Sequence, residues 1–92
     1  MSQSELSQLV ATTRAQLGLT QLELAVAVSG RLGTPRPMLR GAVASWEGGW
    51  RVPSPQCLDA LGDLAGWDEA GRERAAYLSQ RASIARKRGS AA

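Results

Sequence analysis

Leu19-Thr20-Gln21-Leu22-Glu23-Leu24-Ala25 is the stretch whose reading decides the fold. The Thr20 hydroxyl can accept from a first-turn amide, and Glu23, three residues on, can reach back to the Thr20 amide. Together they form a capping box that starts a helix at Gln21. Gly18, just before it, can end a preceding helix. Leu17 to Thr20 is therefore a tight corner between two helices. Upstream, Leu6, Leu9, Val10, Thr13 and Leu17 fall on one helical stripe. They predict a first helix from about Glu5 to Leu17, capped by Ser4 or Ser2. Downstream, Leu24, Ala25, Val28 and Leu32 continue the second helix at i, i+1, i+4 and i+8, with its end at Gly33. Gly30 inside that span costs about 1 kcal/mol relative to Ala and leaves an earlier stop open.

Thr34-Pro35-Arg36-Pro37 cannot be helix interior, because each proline lacks an amide donor and restricts the residue before it. It is a connection that can lap into a first helical turn. A third helix is expected over about Met38 to Glu47, stopped by Gly48-Gly49 and followed by a loop, Trp50-Arg51-Val52-Pro53. Ser54 caps a fourth helix with Pro55 in its first position and Leu58, Leu61 and Leu64 facing the core. Asp68 caps a fifth, which carries Tyr77, Leu78 and Ile84 and fades near Arg86-Lys87-Arg88 into a frayed Gly89-Ser90-Ala91-Ala92 tail. No strand signals and no repeats appear. The expected class is all-α, with five helices, divided as residues 1–67 and a C-terminal helix and basic tail over 68–92. A capped helix, a connection and a short second helix outline a helix-turn-helix.

Ninety-two residues allow one small domain, which would bury only about 60–65% of its unfolded surface. No apolar run approaches the roughly 20 residues that span a bilayer, and no secretory signal is visible. Cys57 is a lone cysteine, so an intrachain disulfide is excluded and a reducing cytoplasm is the expected compartment. The net charge is only +3, but its distribution is uneven. Arg14 to Arg51 holds five Arg against two Glu, Val52 to Gln80 holds five acids against two Arg, and Arg81 onward holds four basic residues and no acid. Two basic zones separated by an acidic one imply a surface that faces a polyanion.

Arg14-Ala15-Gln16-Leu17-Gly18-Leu19-Thr20-Gln21, then Leu24-Ala25, Val43, Trp46-Glu47, Gly49 and Pro53-Ser54 resemble the phage-repressor and Cro type of helix-turn-helix, the XRE family. The resemblance covers about Leu6 to Trp67 and is specific in combination rather than piece by piece. It implies a lambda-repressor-like, five-helix DNA-binding domain. The interval from Ala25 to Glu47 is longer than in compact members, the surplus lying in Val28 to Pro37, so the connection between the second and third helices is expanded.

The resemblance also implies roles. Gln21, at the start of the second helix, would meet a phosphate; the alternative is an exposed first-turn side chain. The third helix would lie in the major groove with Arg40, Gly41, Ala44 and Ser45 outward and Val43 and Trp46 inward. Arg40 could hold guanine O6 and N7 together, or bind only a phosphate. Gly41 and Ala44 read shape or a thymine methyl, or let the backbone approach, and Ser45 can donate to phosphate or base. Arg36 and Arg31 could add backbone contacts. Arg14 and Glu47 match the family's structural ion pair, against the alternative of two unrelated surface charges. The amides of Gly48-Gly49-Trp50-Arg51 could face a phosphate with Arg51 in support. Trp50 would lie on the sugar-phosphate backbone or on the fourth helix. Trp46 and Trp67 belong to the core or its rim.

The chain has no His and one Cys, which removes Ser-His and Cys-His dyads, His metal sites and zinc fingers. Asp59 and Asp63, one turn apart, are better explained as a solvated face than as a catalytic pair. No enzyme activity, metal or cofactor is expected. The expected function is a sequence-specific transcriptional regulator that binds double-stranded DNA as a homodimer, with the fifth helix either a dimer-forming or a plain packing element. The competing reading is a protein-interaction module of the same fold, an antitoxin or a docking partner for another regulator. A nucleoid-type binder with little sequence preference is a third.

Overall fold

The structure is a computed structural model. It describes the backbone of residues 5–91, with side chains described through residue 85. Five helices follow one another: α1 (Glu5–Leu17), α2 (Gln21–Leu32), α3 (Arg40–Glu47), α4 (Pro55–Ala65) and α5 (Glu69–Ala91). Among the described residues there is no strand, and no helix is long and apolar enough to cross a membrane.

The local signals at three helix starts act as their chemistry requires. The Thr20 hydroxyl accepts from the Glu23 amide at 3.1 Å, while the Glu23 carboxylate accepts from the Thr20 amide at 2.8 Å. That second bond holds the Glu23 carboxyl below its usual range, because an amide aimed at the charged form favours it. Ser54 accepts from the Cys57 amide at 3.2 Å, and Asp68 from the Gly71 amide at 2.8 Å. Gly18 turns the corner at φ 71 and Gly33 ends α2 at φ 67, a region that glycine enters without a Cβ penalty. Gly30 does not stop α2. The expected cap of α1 at Ser4 or Ser2 lies outside the described residues.

Two apolar clusters build the core. Val10, Leu24, Val28 and Val43 are fully buried with Trp46 and Leu61 in the larger one, where α2 lies against α3 and α4, and α1 against α3. Each such side chain contributes about 1.5–3 kcal/mol on burial. The smaller joins Leu6, Leu58, Ala75 and Leu78, where α5 rests on α1 and α4. Trp67 packs against both.

Two sequence expectations need correction. Helix α3 begins at Arg40, not Met38, because the Met38 amide donates to the Ser29 hydroxyl at 2.6 Å and Leu39 is extended at ψ 158. Helix α5 does not fade at Arg86-Lys87-Arg88; its backbone stays helical to Ala91. Arg, Lys and Ala are good helix formers, and cations suit a helix C-terminus. The side chains of that basic run lie outside the described residues. Of the apolar residues that α5 carries, Leu78 is buried while Tyr77 and Ile84 are exposed, and the Arg81 guanidinium sits 5.8 Å from the Tyr77 ring centroid.

Candidate nucleic-acid interface

The site is built on α2 and α3, and its geometry starts from the groups that fix α3. At the C-terminal end, the Arg14 Nε donates to Glu47 Oε2 at 2.6 Å and its Nη2 to Oε1 at 3.1 Å, a two-pronged pair. The Arg14 Nη1 also donates to the Leu19 carbonyl at 3.0 Å, which ties the α1–α2 corner to the same guanidinium. Glu47 is 8% exposed. Its hydrogen bond raises the Arg14 pKa by more than burial lowers it, so the guanidinium stays charged. The Gln21 amide nitrogen completes the cluster, donating to Glu47 Oε1 at 3.3 Å. Glu47 thus anchors α1, the first turn of α2 and the end of α3 together.

At the other end of α3, the expanded connection is pinned by one buried residue, Ser29. Its hydroxyl donates to the Ala25 carbonyl at 2.8 Å and accepts the Met38 amide. The Ser29 carbonyl accepts from the Gly33 amide at 2.9 Å and the Thr34 amide at 3.3 Å. Thr34 Oγ1 in turn donates to the Arg36 carbonyl at 3.0 Å. Met38 packs on the larger core cluster. The connection from Gly33 to Leu39 is held at both ends, not loosely tethered.

On the surface so fixed, Val43 and Trp46 face inward, Arg40 and Gly41 are exposed, and Ala44 and Ser45 are half-buried. Arg36 and Arg51 are exposed as well. Among the described residues, no side-chain hydrogen bond or ion pair occupies the guanidinium of Arg36, Arg40 or Arg51. The Ser45 hydroxyl donates to the Gly41 carbonyl at 2.7 Å. Trp50 is 64% exposed, its ring edge lying over Gly48, where a Cβ would meet Trp50 Cδ1 at 2.8 Å.

Two sequence expectations about this region fail geometrically. The amides of Gly48, Gly49, Trp50 and Arg51 do not face outward. They donate to the carbonyls of Ala44, Trp46, Ser45 and Ser45 at 2.9, 3.3, 2.9 and 3.2 Å, closing the end of α3. What remains there for an anion is the Arg51 side chain. Arg31 is not a free cation beside Arg36: its Nε donates to Asp63 Oδ2 at 2.9 Å. Asp63 also accepts from Arg72 Nη2 at 2.7 Å, and Arg72 Nη1 donates to Asp59 at 3.2 Å. The two arginines, Arg72 first, hold the Asp63 carboxyl below its usual range. Asp59 and Asp63 are thus part of an ion-pair network across α2, α4 and α5.

Sequence reading missed the Ser29 bridge and the Gln21 link to Glu47. Ser29 sits in an apolar stripe as a buried serine, which needs a partner; that was the available signal. No protein-family model, no curated protein and no solved structure matches the chain.

Proposed function

We propose that this chain is a sequence-specific DNA-binding regulator of the phage-repressor and Cro kind, with α3 in the major groove. The observation that carries the reading is a division of polar groups around α3. Those that position the helix are satisfied within the chain, while Arg40 at its start and Arg36 and Arg51 in the segments before and after it are exposed and, among the described residues, have no intramolecular partner. A guanidinium on a fixed helix, with others in the segments that flank it, suits guanine edges and phosphates. Arg40, in the first turn of α3, is assigned to guanine, with Gly41, Ala44 and Ser45 close to the bases. Gln21, Arg36, Trp50 and Arg51 are assigned to the sugar-phosphate backbone. Two copies would bind half-sites about one helical turn apart. The chain acts by binding, with no catalytic step.

Selection of bound duplexes from a random library at near-physiological salt tests this. The expected result is an enriched motif with dyad symmetry. Arg40→Ala costs about 1–3 kcal/mol and relaxes one guanine, whereas Arg51→Ala weakens all sequences alike and lowers the salt slope by about 1. Retention without a motif would leave only a non-specific binder.

One observation favours a second reading, a protein-interaction module: Leu22 and Val26 on α2 are 53% and 52% exposed, one turn apart. Absence of any retained duplex, with function abolished by Val26→Asp, would select it.

A further inference from the structure

Leu39 is 77% exposed, more than any other large apolar side chain among the described residues. Its exposure is imposed by the backbone. The Met38 amide is fixed on the Ser29 hydroxyl, and the Met38 side chain packs on the core. Leu39 itself is extended, at φ −87 and ψ 158, and successive side chains on extended backbone point to opposite sides. Leu39 therefore projects outward at the leading end of α3. It occupies the N-cap position, where Ser, Thr, Asp or Asn would supply a side-chain hydrogen bond that leucine does not. Arg40 follows it directly and Arg36 lies three residues before it in the connection; both are exposed cations.

An exposed apolar side chain followed by Arg40 and preceded at three residues by Arg36, neither guanidinium being paired among the described residues, fits a surface that is largely anionic and apolar at one point. The major groove offers one apolar group, the C5-methyl of thymine. We infer that Leu39 is a specificity-determining residue that packs against a thymine methyl beside the base read by Arg40. This rests on the DNA-binding reading above and adds to it the identity of a base that no hydrogen-bonding side chain of α3 would select.

Each thymine of a selected duplex is replaced singly by deoxyuridine, which deletes the methyl and leaves every hydrogen-bonding edge intact. Binding is measured for the full-length chain and for Leu39→Ala, whose circular dichroism and melting should match the parent because the side chain is exposed. At one thymine per half-site, uracil should weaken the parent about four-fold, the worth of one buried methyl, and leave Leu39→Ala unaffected. The inference is overturned if no uracil position matters, or if the sensitive position is equally sensitive in Leu39→Ala. A parent that selects a motif but ignores uracil sinks this inference alone. A parent that retains no duplex sinks the DNA-binding reading and this inference with it, and would leave Leu39 to an acidic protein partner.

Discussion

Glu47→Ala should destabilise the fold by about 2–3 kcal/mol. The substitution removes the acceptor of three donors: Arg14 Nε at 2.6 Å, Arg14 Nη2 at 3.1 Å and Gln21 Nε2 at 3.3 Å. Two unit charges about 4 Å apart attract by about 4 kcal/mol at an effective dielectric constant near 20, a gross figure that desolvation offsets in part. Stranding one member of a fully buried pair costs about 3–5 kcal/mol, and an exposed pair is worth about 0–1. The side chains here are 25% exposed at Arg14 and 10% at Glu47, so Arg14 can rehydrate partly and the cost falls between those limits. Urea unfolding gives the free energy directly, and a domain of this size should lose roughly 10–20 °C in melting temperature. The double variant Arg14→Met, Glu47→Leu should be more stable than Glu47→Ala alone, because no charge is left without a partner. A loss below about 0.5 kcal/mol, or one that vanishes at about 0.5 M salt, would mean that the pair is a screened surface contact. The account of α3 as a helix locked at its C-terminal end would then be wrong.

Ser29→Ala should cost about 1–2 kcal/mol, since it leaves the Met38 amide without the acceptor it now has at 2.6 Å. Amide exchange read by NMR should speed at Met38 while Leu24 stays protected; unchanged exchange at Met38 would refute the strut. Asp63→Asn should flatten the acid limb of the stability curve. The folded Asp63 carboxyl titrates below its ordinary 3.8, so its contribution is complete above that value and disappears as pH falls through the lower folded value. Equal slopes for parent and variant in acid unfolding would show that the Arg72 and Arg31 contacts are not kept in solution.

The parts of this fold that could be read from sequence are those set by neighbours three or four residues apart. Thr20 and Glu23, Ser54 and Pro55, and Asp68 each satisfy helix-start amides locally, so their reading needed no tertiary information. The inward positions Val43 and Trp46 came from the resemblance to the XRE pattern, counted back from Glu47. What escaped depends on contacts between distant segments. The start of α3 shifted by two residues because Ser29, nine positions earlier, takes the Met38 amide. The Gly48-Gly49 turn resembles an anion-binding loop in sequence, but the carbonyls at the end of α3 claim its amides first. Arg31 belongs to the basic zone by sequence and to Asp63 by geometry, which charge counting along the chain does not distinguish.

The geometry of α3 also restricts what its small surface can read if the proposal holds. In the observed rotamer the Ser45 hydroxyl gives its proton to the Gly41 carbonyl, so its oxygen is left to accept. It suits the amino group of adenine or cytosine in the major groove, not the acceptor edges of guanine or thymine. Gly41 and Ala44 carry no hydrogen-bonding side chain, and Arg40 is the one long polar side chain on the exposed face of α3. The arginines that are unpaired among the described residues, Arg36, Arg40 and Arg51, would favour any duplex through its phosphates, whatever its sequence. Discrimination must then come from few contacts, each worth about 1–3 kcal/mol, and these depend on α3 being held in register. Hence the buried anchors Glu47 and Ser29 matter for specificity although neither lies on the exposed face. Under that proposal a helix free to shift by one residue would rotate Arg40 by about 100° away from its base, while the phosphate contacts of Arg36 and Arg51, which lie outside α3, would largely survive.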